Sequence, residues 1–355
     1  MILKLITLAS NGFSPETIIF IGIFIMLNFF KYRLNYALGA LFSIVLLGTS
    51  LANAQSTYPN RPIKLIAPFP PGGTSDILGR LMAQKLGEAL GQPVIIDNRP
   101  GASGNIGHEI AAKAAPDGYT LLLSNNGTAV NNPHLFKQLN YDWYKDFSPI
   151  SLVAFGGQVL VVHPSVPVKN VAELTALFKS KPGQLNYGSG GKGMPSHIAG
   201  EMYKTTVNLD ILHIPYKGTG VAVADLVAGQ TQMIFSEMAP AIGFIKANKL
   251  RALAVTSAQR STTFPDLPTM IELGYPNFVS GNWWAIVAPK GVPTSIIDRI
   301  NQELGKIMAS TEIRDSFEKL GVNPLHSEPS KVFELSRKES PIIGEIIRKA
   351  GVEKE

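Results

Sequence analysis

Short apolar segments alternate with amphipathic helices along most of this 355-residue sequence, and this alternation constrains the fold more than any other feature. Ile63–Ala67 is typical of a buried strand, residues 70–73 form a proline- and glycine-rich turn, and a helical apolar pattern follows. Residues 94–96 and 119–123 begin the next two units in the same way. Because single helices between strands connect parallel neighbours, the sequence predicts an α/β protein with a largely parallel sheet.

A second series of strands and helices follows. Residues 152–154 and 159–162 are predicted as two separate strands, and residues 283–288 as a later one. The C-terminal region is helical in pattern. Its last helix is expected to be split at Ser340 and Pro341, because proline favours the first turn of a new helix.

The two series predict two lobes rather than one. We expect two α/β lobes with a ligand cleft between them. Residues 55–154 and 281–355 are assigned to lobe 1, and residues 155–280 to lobe 2. Since no flexible tether separates them, the chain is expected to cross between the lobes more than once.

The first 54 residues have the features of a secretory signal. The positive residues Lys31 and Arg33 precede an apolar run at 38–47, and Ala52 and Ala54 stand at the two positions that a signal peptidase reads. We therefore expect cleavage after Ala54, a mature chain that begins at Gln55, and export to the periplasm.

An earlier apolar run, residues 18–30, leaves two interpretations of the N-terminus. Translation from Met26 would give a signal of normal proportions. An uncleaved anchor or a membrane hairpin is the alternative, although each run is shorter than the roughly 20 apolar residues of a membrane-spanning helix.

Several classes of function lack their characteristic residues. Without cysteine the chain has no disulfide, thiolate nucleophile or zinc–thiolate site, and its six histidines show no metal-ligand spacing. No serine stands in a G-x-S-x-G turn. The net charge of +6 suits anionic ligands but is not clustered as in a nucleic-acid binder. We expect no catalytic residue, metal, cofactor or nucleic-acid partner.

Residues 188–193 match the G-x-G-x-x-G pattern after a predicted strand. A dinucleotide site places this motif in the first βαβ unit, whereas here it lies in the middle of the chain, before Met194 and Pro195. The simpler interpretation is an anion-binding turn at the start of a helix.

Five loops of small polar residues follow predicted strands, at residues 70–76, 98–105, 124–128, 188–193 and 215–220. Ligands of open α/β sheets bind beyond the carboxyl ends of strands, where helix N-termini present unpaired N–H groups. The loops therefore predict a cleft that holds a small anion with backbone donors from both lobes.

Glycine marks the places where a ligand can approach the backbone closely. In lobe 1 we expect contacts from the amides of Gly73 and Thr74, and in lobe 2 from Ser189 and Gly190. Asp76 is expected to cap the helix that follows or to offset its dipole, and to contact a ligand only if the ligand is an amino acid or reaches it through water.

Seven motifs together resemble the Bug family of extracytoplasmic receptors, the TctC-like substrate-binding components of tripartite tricarboxylate transporters. They follow the family order over nearly all of residues 58–351 and are specific as a set. The motifs are YPNRPI at 58–63, PPGGTSD at 70–76, VIIDNRPGA at 94–102, APDGYT at 115–120, YGS at 187–189, PYKG at 215–218 and LRALAV at 250–255.

The resemblance implies a type II periplasmic-binding-protein-like fold, with two α/β lobes and a ligand cleft between them. It implies a monomeric periplasmic solute-binding protein that captures a dicarboxylate, amino acid or aromatic acid. It also implies membrane subunits of a tripartite tricarboxylate transporter as partners. Together with the loops described above, it gives these candidate ligand residues: Pro71, Gly72, Gly73, Thr74, Ser75, Asp76, Ser124, Thr128, Gly188, Ser189, Gly190 and Ser236.

The sequence departs from the family pattern at two places. Residues 236–239 read SEMA where members usually have Asp-Asn before Leu-Pro, and residues 128–130 read TAV where members often have Thr-His-Ala. Ligand identity therefore cannot be taken from a relative. Two other functions remain open: an enzyme on the same scaffold that uses residues 188–193, and a membrane-anchored sensor that uses the first apolar run.

Overall fold

The computed structural model describes residues 14, 16–17, 19–24, 26–28, 30–31 and 58–354. The chain divides into two units, residues 1–57 and residues 58–355. In the first unit the described residues from 16 to 31 are helical. The apolar run at 38–47, the cleavage position at Ala54 and the expected mature start at Gln55 lie outside the described residues. No helix among the described residues has the length and apolar character needed to cross a membrane.

Ten strands form one mixed sheet within residues 58–354. They are β1 (Ile63–Ala67), β2 (Val94–Asn98), β3 (Thr120–Asn125), β4 (Phe147–Val162), β5 (Asn186–Ser189), β6 (Leu212–Pro215), β7 (Met233–Glu237), β8 (Arg251–Val255), β9 (Gly281–Pro289) and β10 (Asn323–Pro324).

Helices cover both faces of this sheet. They are α1 (Thr74–Leu90), α2 (Asn105–Ala112), α3 (Asn132–Leu135), α4 (Val171–Ser180), α5 (Pro195–Val207), α6 (Thr219–Val227), α7 (Met238–Lys246), α8 (Thr294–Ala309), α9 (Thr311–Lys319) and α10 (Pro329–Lys349).

The strand order confirms two α/β lobes but corrects the expectation of a largely parallel sheet. In lobe 1, β1 pairs in parallel with β2 and β3; in lobe 2, β5 pairs in parallel with β6 and β7. The antiparallel pairs all involve β4 or β9. The sheet is mixed because these two strands connect the βαβ units instead of belonging to them.

The strand β4 joins the two lobes. Residues 147–157 pair with β9 in lobe 1, and residues 158–162 pair with β7 and β8 in lobe 2. The prediction of two strands, at 152–154 and 159–162, is therefore wrong. The separating glycines are not a turn: a Cβ would lie 2.8 Å from Val322 at Gly156 and 2.8 Å from Ser257 at Gly157. Both positions require glycine because Val322 and Ser257 pack against the strand where a side chain would lie.

The chain crosses a second time beside β4. The amide of Thr256 donates to Gln158 at 2.8 Å, and the Thr256 hydroxyl donates to the carbonyl of Ser280 at 2.7 Å. Two adjacent crossings agree with the expectation that the lobes are not joined by a tether. The residue limits assigned to the lobes stay a prediction.

Each lobe has a hydrophobic core on both faces of its sheet, because neighbouring residues of a strand point in opposite directions. In lobe 1, Trp284 packs under α1 and α8, and Trp283 packs on the other face near α10. In lobe 2, Phe235 and Ile234 divide between two cores in the same way. Strands buried on both faces are apolar throughout, which explains the continuous apolar runs in the sequence.

The helix α10 is continuous through Pro341, so the expected split at Ser340 and Pro341 is wrong. Pro341 is exposed, and the carbonyl group that loses its hydrogen bond can therefore be solvated. Val332 and Ile347, on either side of the proline, are buried, and this packing holds both halves of the helix in line.

Candidate functional site

Four helix N-termini surround one cavity between the lobes. The residue before α1 is Gly73, and those before α5, α6 and α7 are Met194, Gly218 and Glu237; all four line this cavity. The first N–H groups of a helix have no partner within it, and the helix dipole makes this end positive. We call this space the first cavity. Its full lining is Phe69, Pro70, Pro71, Gly73, Thr74, Ser75, Asn125, Met194, Gly218, Thr219, Gly220, Val221 and Glu237.

The loop between β1 and α1 forms the lobe 1 wall. Gly72 has a φ of +89°, which favours glycine, and its amide donates to Asp76 Oδ2 at 3.1 Å. Arg80 and Asn98 also donate to this carboxylate, at 2.9 Å and 3.0 Å from Oδ1. Burial acts to raise the pKa of Asp76, but the bonds from Arg80, Gly72 and Asn98 outweigh it and the pKa is lowered. Asp76 is a fully partnered anion that holds the loop.

The first turn of α1 contributes polar side chains to the same wall. Trp284 Nε1 donates to Ser75 Oγ at 2.9 Å, which fixes Ser75 from below. Thr74 Oγ1 and Asn125 Nδ2 are buried without a hydrogen-bond partner in the described part of the chain. Since buried polar atoms are normally paired, these two atoms mark positions where a ligand or water can bind.

The N-terminus of α6 forms the facing wall in lobe 2. A Cβ on Gly220 would lie 3.1 Å from the carbonyl oxygen of Gly72, and one on Gly218 would lie 3.2 Å from Pro70 Cδ. The two lobes therefore touch along these loops. The first cavity measures about 20 Å³, space for about one water molecule, so a small carboxylate can enter only when the lobes separate.

Glu237 lies at the end of β7, next to α6 and at the start of α7. Its side chain is buried, with Oε1 3.4 Å from Asn282 Nδ2, and Oε2 has no hydrogen-bond partner among the described residues. Burial raises the pKa of Glu237, and the neighbours that act in the opposite direction, including Thr219 and Asn282, are uncharged. Its environment is thus the reverse of that of Asp76.

A second cavity, of about 240 Å³, shares Phe69 with the first. Its walls are residues 101–104 of lobe 1 and residues 190–192 and 215–217 of lobe 2. Lys192 and Lys217 bring positive charge to this space. A Cβ on Gly190 would lie 2.7 Å from Thr219 Oγ1 and 2.9 Å from its amide nitrogen, so the residues 190 and 219 pack directly on each other between the two cavities.

The structure brings some of the predicted ligand residues together and separates others. Pro71, Gly73, Thr74 and Ser75 line the first cavity, and Gly190 lines the second cavity. Gly72 lies in the loop before α1, and Asp76 lies in the first turn of α1. The remaining candidates are buried beside these spaces without lining them.

Those remaining residues support neighbouring segments. Ser124 Oγ lies 2.8 Å from His108 Nε2, and Thr128 Oγ1 donates to the carbonyl of Ser103 at 3.1 Å. Ser236 Oγ donates to the carbonyl of Glu237 at 2.7 Å. Gly188 lies within β5 with Ser189 at its end.

Ser189 lies in the glycine-rich segment 188–193 that an enzyme on this scaffold would use, and it forms a serine–histidine contact with His213. Ser189 Oγ lies 2.6 Å from His213 Nε2, and burial lowers the pKa of His213 to about 4, so the imidazole is neutral. A neutral histidine beside serine is the arrangement of an activated nucleophile. Ser189, however, is fully buried and lines neither cavity, so this geometry gives a substrate no access to its hydroxyl.

Sequence reasoning missed most of the lobe 2 wall. Thr219, Gly220, Val221 and Glu237 were not among the candidate residues, although all four line the first cavity. One signal was available, because residues 215–220 were recognised as a small polar loop after a strand. No sequence pattern singles out Glu237, because the burial of an acid is a property of the packed structure.

Comparisons with known proteins give a consistent result. The family model described as "Tripartite tricarboxylate transporter family receptor" matches residues 78–352. The protein BugT of Bordetella pertussis is 38% identical over 309 residues, covering 87% of this chain and 93% of BugT.

Solved structures agree over most of the chain. The structure titled "R. palustris Rpa4515 with adipate" has a TM-score of 0.82 and 32% identity, covering 84% of this chain and all of that one. The protein MatC (Rpa3494) from Rhodopseudomonas palustris, with bound malate, has a TM-score of 0.78 and 28% identity, covering 82% of this chain and all of that one.

Proposed function

This chain belongs to the receptor family of tripartite tricarboxylate transporters, which includes the Bug proteins, and we propose that it is a periplasmic solute-binding protein that captures a small carboxylate in the first cavity. We also propose that lobe 2 spans residues 155–280, that residues 55–154 and 281–355 form lobe 1, and that a signal peptide is cleaved after Ala54. It also extends to a monomer that delivers its ligand to membrane subunits and does not transform it.

The convergence of four helix N-termini carries this proposal. A carboxylate placed among Gly73, Thr74 and Thr219 would meet unpaired backbone donors and the positive ends of helix dipoles from both lobes. Each charged contact at a helix N-terminus contributes roughly 0.3–2 kcal/mol. The related structures with bound adipate and malate support the same chemical class of ligand.

Contact between the lobes gives the binding its mechanism. Since Gly220 touches the Gly72 carbonyl, the ligand must enter an opened cleft and then be enclosed when the lobes return. The strand β4 and the adjacent segment at Thr256 are two crossings about which such a movement can occur. A ligand held by both lobes stabilises the closed form.

Thermal unfolding with candidate ligands tests the proposal. Adipate and malate are offered at millimolar concentration, with glucose as a neutral control. A ligand at a hundredfold excess over its Kd stabilises the folded protein by about 2.7 kcal/mol. We expect a rise in Tm with at least one member of a panel of small carboxylates and none with glucose. Mass spectrometry should recover the bound acid unchanged.

Two variants make the test specific to the first cavity. A Cβ at Gly73 or at Gly243 would meet no atom within 4 Å, so both Gly73→Val and Gly243→Val should fold. Gly73 lines the cavity and Gly243 is exposed on α7. Gly73→Val should lose the carboxylate-induced rise in Tm, whereas Gly243→Val should keep it. A panel that gave shifts only with sugars, or an acid recovered in altered form, would refute the proposal.

A further inference from the structure

We propose that Glu237 is a specificity-determining residue, and that it selects carboxylates that also carry a protonated amino group. This inference rests on the proposed function, because it assumes that a carboxylate binds in the first cavity. The inference adds a second chemical group, a protonated amino group, to the carboxylate that the proposed function requires.

The first step of the argument is the position of Glu237. Its side chain is 3% exposed, and it lines the same cavity as Thr74 and Thr219. An acid is an unusual lining for a cavity that four helix N-termini make favourable for anions. A ligand carrying only negative charge would meet repulsion from this carboxylate wherever it lay in so small a space.

The second step is the lack of a partner. Glu237 Oε2 has no hydrogen-bond partner in the part of the chain that the structure describes, and neither has Oδ1 of the adjacent Asn282. These two unpartnered oxygens belong to neighbouring side chains, because Asn282 Nδ2 donates to Glu237 Oε1 at 3.4 Å. Leaving a charged acceptor buried without a donor is costly, whereas an ammonium group presents three donors and an opposite charge.

The third step is the contrast with the donors across the cavity. Thr74 Oγ1 and Asn125 Nδ2 are also unpartnered, and they accompany the N-terminus of α1. Among the cavity-lining side chains, the unpartnered donors thus lie on the lobe 1 side, and the unpartnered carboxylate oxygen of Glu237 lies on the lobe 2 side. This polarity matches a ligand with a carboxylate at one end and an ammonium beside it, as in an amino acid.

Matched pairs of acids test the inference directly. Glutarate and L-glutamate have the same carbon chain and differ by one ammonium group, as do succinate and L-aspartate, and adipate and L-2-aminoadipate. Kd is measured for each pair by calorimetry at pH 7.5. We expect at least one aminated acid to bind at least roughly tenfold more tightly than its partner, because a charge-assisted bond to a buried carboxylate is strong.

Two variants assign that preference to Glu237. Glu237→Gln keeps the shape and removes the charge, so it should reduce the preference for the aminated acid to about threefold or less. Glu201→Gln is the matched control, since Glu201 is also a buried glutamate of lobe 2 but bonds to Tyr187 Oη at 2.6 Å, outside the first cavity. It should retain the full preference.

The outcomes separate this inference from the proposed function. If, in every pair that binds, the acid without the amino group bound as tightly as its aminated partner, the role of Glu237 would be overturned and carboxylate capture would stay intact. An unchanged preference in Glu237→Gln would overturn it as well. Binding of no acid in any pair would refute both proposals. If Glu237→Gln did not fold, the ratio within each pair for the unaltered protein would still decide for or against an ammonium site.

Discussion

Asp76 and Glu237 are two buried carboxylates on opposite walls of the same cleft, each at the start of a helix, and their surroundings are opposite. Asp76 receives hydrogen bonds from Gly72, Arg80 and Asn98, and its pKa is lowered. Glu237 has one oxygen without a partner, and burial raises its pKa. The protein itself satisfies the first acid and leaves the second unsatisfied.

This difference separates a structural acid from a candidate functional one. Burial and position at a helix start are common to both residues, so neither property identifies function. The hydrogen-bond partners identify it instead. A buried carboxylate that receives hydrogen bonds from the protein stabilises the fold, whereas one that lacks donors costs stability unless a ligand supplies them. Stability and binding measurements on the two walls should therefore give opposite results.

The largest effect is expected from removing the partnered acid. Asp76→Ala leaves the Gly72 amide and the Asn98 side chain without their acceptor and removes an ion pair with Arg80. We expect the free energy of unfolding to fall by about 2–3 kcal/mol, the scale for losing hydrogen bonds to a buried charge. Urea denaturation measures the loss.

An exposed acid on the same helix provides the control. Glu88 pairs with Lys85 at the surface of α1, where solvent screens the interaction and makes its contribution small. Glu88→Ala should therefore change the stability far less than Asp76→Ala. Equal losses in the two variants would show that the network around Asp76 does not hold the loop.

A smaller effect is expected where the two walls touch. Gly220→Ala places a Cβ 3.1 Å from the Gly72 carbonyl oxygen and so keeps the lobes slightly apart. We expect the affinity for the carboxylate to fall about tenfold, which corresponds to about 1.4 kcal/mol. The ligand-free protein should be at least as stable as before, because alanine favours the helix.

Gly243→Ala is the matched control for this substitution. Gly243 is also in a helix of lobe 2, but a Cβ there meets no atom within 4 Å. It should gain the same kind of helix stabilisation and bind the ligand with unchanged affinity. If both variants lost affinity equally, the contact between Gly220 and Gly72 would not be needed for closure.

The sequence predicted the lobe 1 wall better than the lobe 2 wall, and the reason is physical. The loop at Pro71 to Asp76 follows the first strand directly, and its glycines and helix start are local features that a sequence displays. The lobe 2 wall combines residue 194 with residues 218–221 and residue 237, which are brought together by the packing of α5, α6 and α7. No local pattern encodes that assembly.

The errors in the fold have the same origin. Two strands were predicted where β4 is continuous, and the glycines between them, Gly156 and Gly157, accommodate Val322 and Ser257 from distant segments. The split at Pro341 followed a sound local rule, which was outweighed by packing of α10 on both sides of the proline. Local propensity predicted the elements, and long-range contacts decided where they join.

The smallest effect, and the one of opposite sign, is expected from neutralising Glu237 in the ligand-free protein. A carboxyl whose pKa is raised on folding binds more protons in the folded than in the unfolded state, so its contribution to stability is present below its ordinary pKa and is lost as the pH rises. Glu237→Gln replaces the carboxyl with a group that does not titrate, so the variant does not lose this stability as the pH rises. We expect the variant to be more stable than the unaltered protein at pH 8, and the difference to disappear towards pH 4. Urea denaturation of both proteins across this pH range measures it. A variant less stable than the unaltered protein at pH 8 would place Glu237 with Asp76, among the acids whose partners the protein already supplies.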